Sequence, residues 1–121
     1  MMKKLMLFSL IAGLSFLSSG AHAQSYADAV WVSLQDWYEN YSDLGYSVEN
    51  YVVGKLDEDQ SDTWTFVLAG GNDYTIIGVC DEDCGDIDLT LLDDRGDVID
   101  EDVLEDSYPI VSASPRRDAA Y

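Results

Sequence analysis

Half of the residues from Asp81 to Asp106 are aspartate or glutamate, and a single base, Arg95, lies among them. Carboxylates at that density are what a hard cation takes: calcium gathers about six to eight oxygens from carboxylates, carbonyls and water. Asp81, Asp83, Asp86 and Asp88 form one candidate cluster, and Asp100, Asp102 and Asp106 form another if their turn folds back alongside. The spacing is not that of an EF-hand loop. Counting from Asp81, the fifth position is Gly85, the sixth is Asp86 where glycine is required, and the twelfth is Leu92 in place of glutamate. The competing reading of these acids is a set of solvated loops and outward strand faces. If an ion is held, it is calcium, and it tethers loops rather than performing chemistry.

Two other chemistries can be weighed. Cys80 and Cys84 flank Asp81-Glu82-Asp83, whose negative charge raises thiol pKa values and disfavours a reactive thiolate. An even pair in an exported chain reads as a structural disulfide, worth only about 2 kcal/mol because the closed loop is so short. A pair of acids about 5 to 9.5 Å apart can hydrolyse a glycoside, but that needs a cleft with one carboxyl in an apolar setting. Abundant acids alone do not indicate one, so a small carboxylate hydrolase ranks last and the chain is expected not to be an enzyme.

The N-terminus sets the compartment. Lys3 and Lys4 precede an apolar run from Leu5 to Leu17, then small residues and Ala21-His22-Ala23. This is the pattern of a secretory leader cleaved between Ala23 and Gln24. Its apolar core is shorter than the roughly 20 residues of a spanning helix. The mature chain is therefore expected in the periplasm or outside the cell, with no membrane insertion. It keeps all 24 acids but only Lys55, Arg95, Arg116 and Arg117 as bases, and it loses His22, the one histidine. Without imidazole, Ser-His-Asp and Cys-His catalysis and histidine zinc sites are excluded in that mature chain. Nucleic acid is excluded as a partner on charge, since every phosphate contact needs a cation.

The elements that must position these residues follow from periodicity. Val30, Leu34, Trp37, Tyr38 and Tyr41 fall on one face of a helix from Tyr26 to about Tyr41, which Gly45 stops. Strand patterns follow: residues 50–56, then 62–68 with Trp64, Phe66 and Leu68 inward, and 74–79 as its hairpin partner across Gly70-Gly71-Asn72. Residues 86–93 turn Ile87, Leu89 and Leu91 inward, Val98-Ile99 returns after Asp94-Arg95-Gly96-Asp97, and Tyr108 to Ala113 forms a strand that Pro109 places at an edge or a strand start. The expected fold is mainly β: an antiparallel, jelly-roll-like β-sandwich with one N-terminal amphipathic helix. Residues 1–23 are the leader, 24–48 the helix and its connection, and 49–121 the sandwich. Tyr46 and Tyr51, at the helix-to-strand junction, are the aromatic candidates for a binding surface.

The order Ser61-Asp62-Thr63-Trp64-Thr65-Phe66, Gly71-Asn72-Asp73-Tyr74-Thr75-Ile76, Asp86-Ile87-Asp88-Leu89-Thr90-Leu91-Leu92-Asp93 and Gly96-Asp97-Val98-Ile99 resembles the bacterial pre-peptidase C-terminal domain. The likeness covers roughly Asn50 to Tyr121 and lies in strand pattern and turns. It implies an exported, non-catalytic accessory module that binds a protein or an extracellular polymer, or that serves a separately encoded secreted peptidase. Some relatives bind calcium and polymers such as collagen; no residue here is assigned as a ligand by the likeness. Such domains continue through a final G-x-Y-type strand of which Asp118-Ala119-Ala120-Tyr121 resembles only the beginning. The sandwich is thus expected either to belong to a longer gene product or to lack its closing strand and expose an edge.

Overall fold

The structure, a computed structural model, describes residues 2–12 and 20–121. Its elements are β1 (Lys3–Ala12), α1 (Gly20–Asp43), β2 (Tyr46–Leu56), β3 (Val67–Leu68), β4 (Asp73–Cys80), β5 (Leu89–Leu92), β6 (Val98–Asp102), β7 (Ile110–Ala113) and β8 (Ala119–Ala120). This is a mainly-β domain with one helix. Residues 13–19, which include the end of the leader's apolar run, lie outside the described residues. The bond between Ala23 and Gln24 falls on the backbone of α1, and the side chains of these two residues also lie outside the described set.

The helix carries its expected stripe. Val30 and Leu34 are buried, and Trp37 and Tyr41 pack half-buried against the same cluster. Tyr38 departs from expectation and is exposed. At 100° per residue it stands at the margin of the stripe, on the far side of Leu34 from Trp37 and Tyr41. Gly45 ends the helix as expected: it adopts a φ of 87°, and its N–H donates to the Ser42 carbonyl at 2.9 Å, the left-handed cap that glycine accepts without strain.

The main sheet has four strands in the order β2-β1-β4-β7, flanked by two-stranded sheets β3-β8 and β5-β6. Strand β1 runs parallel to both β2 and β4, whereas β4-β7, β3-β8 and β5-β6 are antiparallel. The sheet is mixed rather than antiparallel because α1 carries the chain back between β1 and β2, the crossover that a parallel pair requires. The three sheets remain open. Alternation sorts the central strands onto two cores. Leu5, Leu7, Ile77 and Val79 meet Val30 and Leu34 of α1. On the opposite face Met6, Phe8, Tyr74, Ile76 and Val111 meet Leu68 and Leu91. Strands buried on both faces read as continuous apolar runs, as Leu5-Met6-Leu7-Phe8 does.

One pairing differs from expectation. Residues 62–68 do show the alternating burial of a half-buried strand, with Leu68 fully inside, but they do not form a hairpin with β4. Both edges of β4 are occupied by β1 and β7. Val67 and Leu68 pair instead with Ala120 and Ala119, and Phe66 and Tyr121 exchange two backbone hydrogen bonds of 2.9 Å. The β5-β6 pair and β7 lie within or beside the expected segments, but β5 and β7 are shorter than expected and β6 continues past Val98-Ile99 to Asp102; Pro109 stands just before β7, at the outer edge of the main sheet.

Candidate functional site

The face of the main sheet opposite α1 is only partly covered, which leaves a cleft of about 1460 Å³. Its floor is built by alternation: Phe8, Ile76 and Val111 rise from the main sheet, and Trp64, Phe66 and Tyr121 close one side. Phe8 is the centre of the aromatic group, edge-on to Phe66 with ring centroids 4.9 Å apart and tilted against Trp64 at 5.7 Å. The rim is acidic. Asp57, Asp59 and Asp62 come from the connection between β2 and β3, Asp83, Asp86 and Asp88 from the segment after β4, and Asp93 and Asp94 from the β5-β6 turn. An aromatic floor under a carboxylate rim suits a ligand that is apolar in its middle and cationic at its margins.

The disulfide expected from the even cysteine pair is present between Cys80 and Cys84 and anchors the rim segment directly to the end of β4. The seven acids considered as cation ligands are distributed among different tasks. Asp81 is buried, and its Oδ1 accepts the Asp83 N–H at 3.0 Å. Asp83, Asp86 and Asp88 line the cleft. Asp100 and Asp102 lie on β6 and accept backbone N–H groups of β7, from Ser112 at 2.8 Å and from Ile110 at 2.9 Å. The segment carrying Asp106 does fold back beside the one carrying Asp86 and Asp88, with the Ile87 N–H donating to the Asp106 carbonyl at 3.0 Å. Among the described residues, however, no group of three or more Asp, Glu, His or Cys side chains converges closely enough to hold a metal ion.

Several contributors have no signature in the periodicity. Tyr26, at the start of the amphipathic stretch, donates to the Asp83 carboxylate; that hydrogen bond, with the charges of Asp83, Asp81 and Glu82, raises its phenol pKa. It thereby ties α1 to the disulfide loop. Phe8 belongs to the stretch read as leader, and its place in the floor depends on a parallel pairing that no local pattern announces. Of the two tyrosines expected at the surface, Tyr51 is exposed beside Trp31, their centroids 6.1 Å apart. Tyr46 is half-buried instead, edge-on to Tyr41 at 5.1 Å and with the Lys3 ammonium 5.5 Å above its ring.

Asp93 organises the β5-β6 turn. Its Oδ1 accepts the N–H groups of Asp97 and Arg95, each at 2.9 Å, and Gly96 supplies the positive φ of 84° that the turn needs. Hydrogen bonding from Asp97, then from Arg95, lowers the Asp93 pKa. A depressed carboxylate contributes stability above its unfolded value, about 3.9, and loses it as pH falls through the folded value. Asp93→Asn is thus expected to lower the thermal midpoint at neutral pH, with the gap to wild type narrowing below about pH 4. A gap that stayed constant down to the acid transition would show that the ionised form is not what the turn uses.

Among the described residues no helix is long and apolar enough to cross a membrane. In comparisons with family models, with curated proteins and with solved structures, the chain matches none.

Proposed function

We propose that the protein is an exported, non-catalytic binding module of pre-peptidase C-terminal type, and that the acidic-rimmed cleft is its ligand face, taking a protein or extracellular polymer. The observation that carries this reading is the cleft itself: Trp64, Phe66 and Tyr121, aromatic residues that the cleaved chain retains, stand beneath carboxylates from three separate connections. Support for export comes from Lys3-Lys4, the apolar run and Ala21-His22-Ala23. Support for the antiparallel sandwich comes from the pairings: among the described residues every parallel contact belongs to β1, and all those made by residues 49–121 among themselves are antiparallel.

The test is a titration of immobilised collagen-type polymer and of a leucine-bearing oligolysine peptide at low and high salt. Binding is expected to weaken as salt screens the rim and to fall at least tenfold in Trp64→Ala, in line with the weight aromatic anchors carry. Failure of both probes to bind at low salt would remove the cleft as a ligand face. Calcium is tested separately by thermal unfolding. On the proposed reading the midpoint rises in calcium beyond a control of matched ionic strength with chelator, because a ligand of the native state stabilises it by mass action. An equal rise in every salt would leave only screening of the acids.

A further inference from the structure

The residues that read as an export leader are the centre of the fold. Strand β1 pairs with β2 from Lys3↔Tyr46 to Ala12↔Leu56, and with β4 from Lys3↔Asp73 to Leu10↔Cys80. Leu5, Met6, Leu7, Phe8 and Ser9 are all buried. Cleavage after Ala23 removes this strand. Two neighbours of a central strand stand about 10 Å apart, twice the interstrand spacing, so β2 and β4 cannot pair with each other without moving. What remains is a slot with unpaired backbone on both sides, walled by Ile77, Val79, Val30 and Leu34 on one face and by Ile76 and Tyr74 on the other.

We infer that, in the exported chain, the slot between β2 and β4 is a strand-acceptor site, filled by an extended segment of an exported partner protein that enters parallel to both. This rests on the proposed export and cleavage. The seated β1 shows the chemistry that fits. Its basic start is held by the Lys4–Glu49 ion pair of 2.9 Å and by Lys3 over the Tyr46 ring at 5.5 Å; large apolar side chains follow, alternating to two faces. The partner segment therefore carries one or two cations ahead of an apolar run, and its backbone completes two ladders at once, the mode by which extended peptides add to open sheets. The leader also fits imperfectly. Among the described residues the buried Ser9 hydroxyl meets no hydrogen-bond partner, a penalty that a partner segment with an apolar residue at that position escapes.

The test keeps the whole chain. A specific protease site replaces residues 13–19, the chain is folded intact and then nicked, the severed N-terminal segment is removed by gel filtration in mild denaturant, and a fluorescent peptide of residues 2–12 is offered to the stripped and the intact protein. The stripped protein is expected to take up the peptide and the intact protein to exclude it. A Ser9→Ala peptide should bind about tenfold tighter, and a Leu7→Asp peptide should not enter. No uptake after nicking, equal uptake by intact protein, or equal affinity of the Leu7→Asp peptide would overturn the acceptor site, as would a nicked chain that dimerises and excludes peptide. The N-terminal mass of the exported protein separates the two levels: retention of residues 1–23 would show that the export reading failed and that β1 fills the slot permanently. A cleaved chain that refuses the peptide would show that the acceptor inference alone had failed.

Discussion

Truncation of Tyr74 to alanine is expected to destabilise the full-length chain by about 3–5 kcal/mol, the range for removing a large aromatic from a core. Tyr74 is buried in the cluster that joins the main sheet to Leu68 and Leu91. Its hydroxyl oxygen also accepts the Ala69 N–H at 2.9 Å, which holds the turn between β3 and β4. Tyr74→Phe keeps the ring and removes only the acceptor, so it should cost about 1–2 kcal/mol. Small domains have about 5–15 kcal/mol in all, so the alanine variant should unfold at a much lower urea concentration than the phenylalanine variant. Equal midpoints for the two would mean that the hydroxyl, not the ring, dominates.

The second large effect concerns Asp100 and Asp102, and it separates a structural role from a cation role. Strand β7 is an edge, and edge strands present unpaired N–H groups that invite association. Here Asp102 Oδ2 and Asp100 Oδ2 accept the outward N–H groups of Ile110 and Ser112. Hydrogen bonds to ionised groups contribute about 1.5–3 kcal/mol each where partly buried. Asp102→Ala, whose bond to Ile110 is the more buried of the two, should therefore lose about 2 kcal/mol in unfolding experiments run with chelator. The double alanine variant should also self-associate on sedimentation as β7 becomes available. Asp102→Asn retains a side-chain acceptor and should lose less than alanine. If the loss appeared only in the presence of calcium, and equally in Asn and Ala variants, the carboxylates would be acting as ligands instead.

These two effects show which parts of the molecule were legible in the sequence. The stripe Val30, Leu34, Trp37 and Tyr41 identified a helix, and the alternation of Trp64, Phe66 and Leu68, and of Ile87, Leu89 and Leu91, identified inward faces. The cysteine pair bracketing three acids identified a disulfide. Each is a local property: side-chain period reports which face meets the core, and a spacing of four brings two cysteines within reach. Rim acids such as Asp83, Asp86 and Asp88 were visible as candidates for the same reason, whereas the aromatic floor beneath them was not. Phe8, Trp64, Phe66 and Tyr121 come together across most of the chain length.

Local pattern in the chain was enough for the mainly-β class, the one helix, the turns, the disulfide and the acidity of the connections. Tertiary structure alone decided that β3 joins β8, that β4 lies between β1 and β7, and that Asp100 and Asp102 secure an edge. The reason is physical. Strand pairing is non-local, and any apolar face of the right length satisfies the same period, so the partner is chosen by which edges remain open once the most apolar strands are buried. The run from Leu5 onward shows the limit most sharply, because a stretch apolar all round serves equally as an export leader and as a strand buried on both faces, and only its neighbours on either side make it the centre of a sheet.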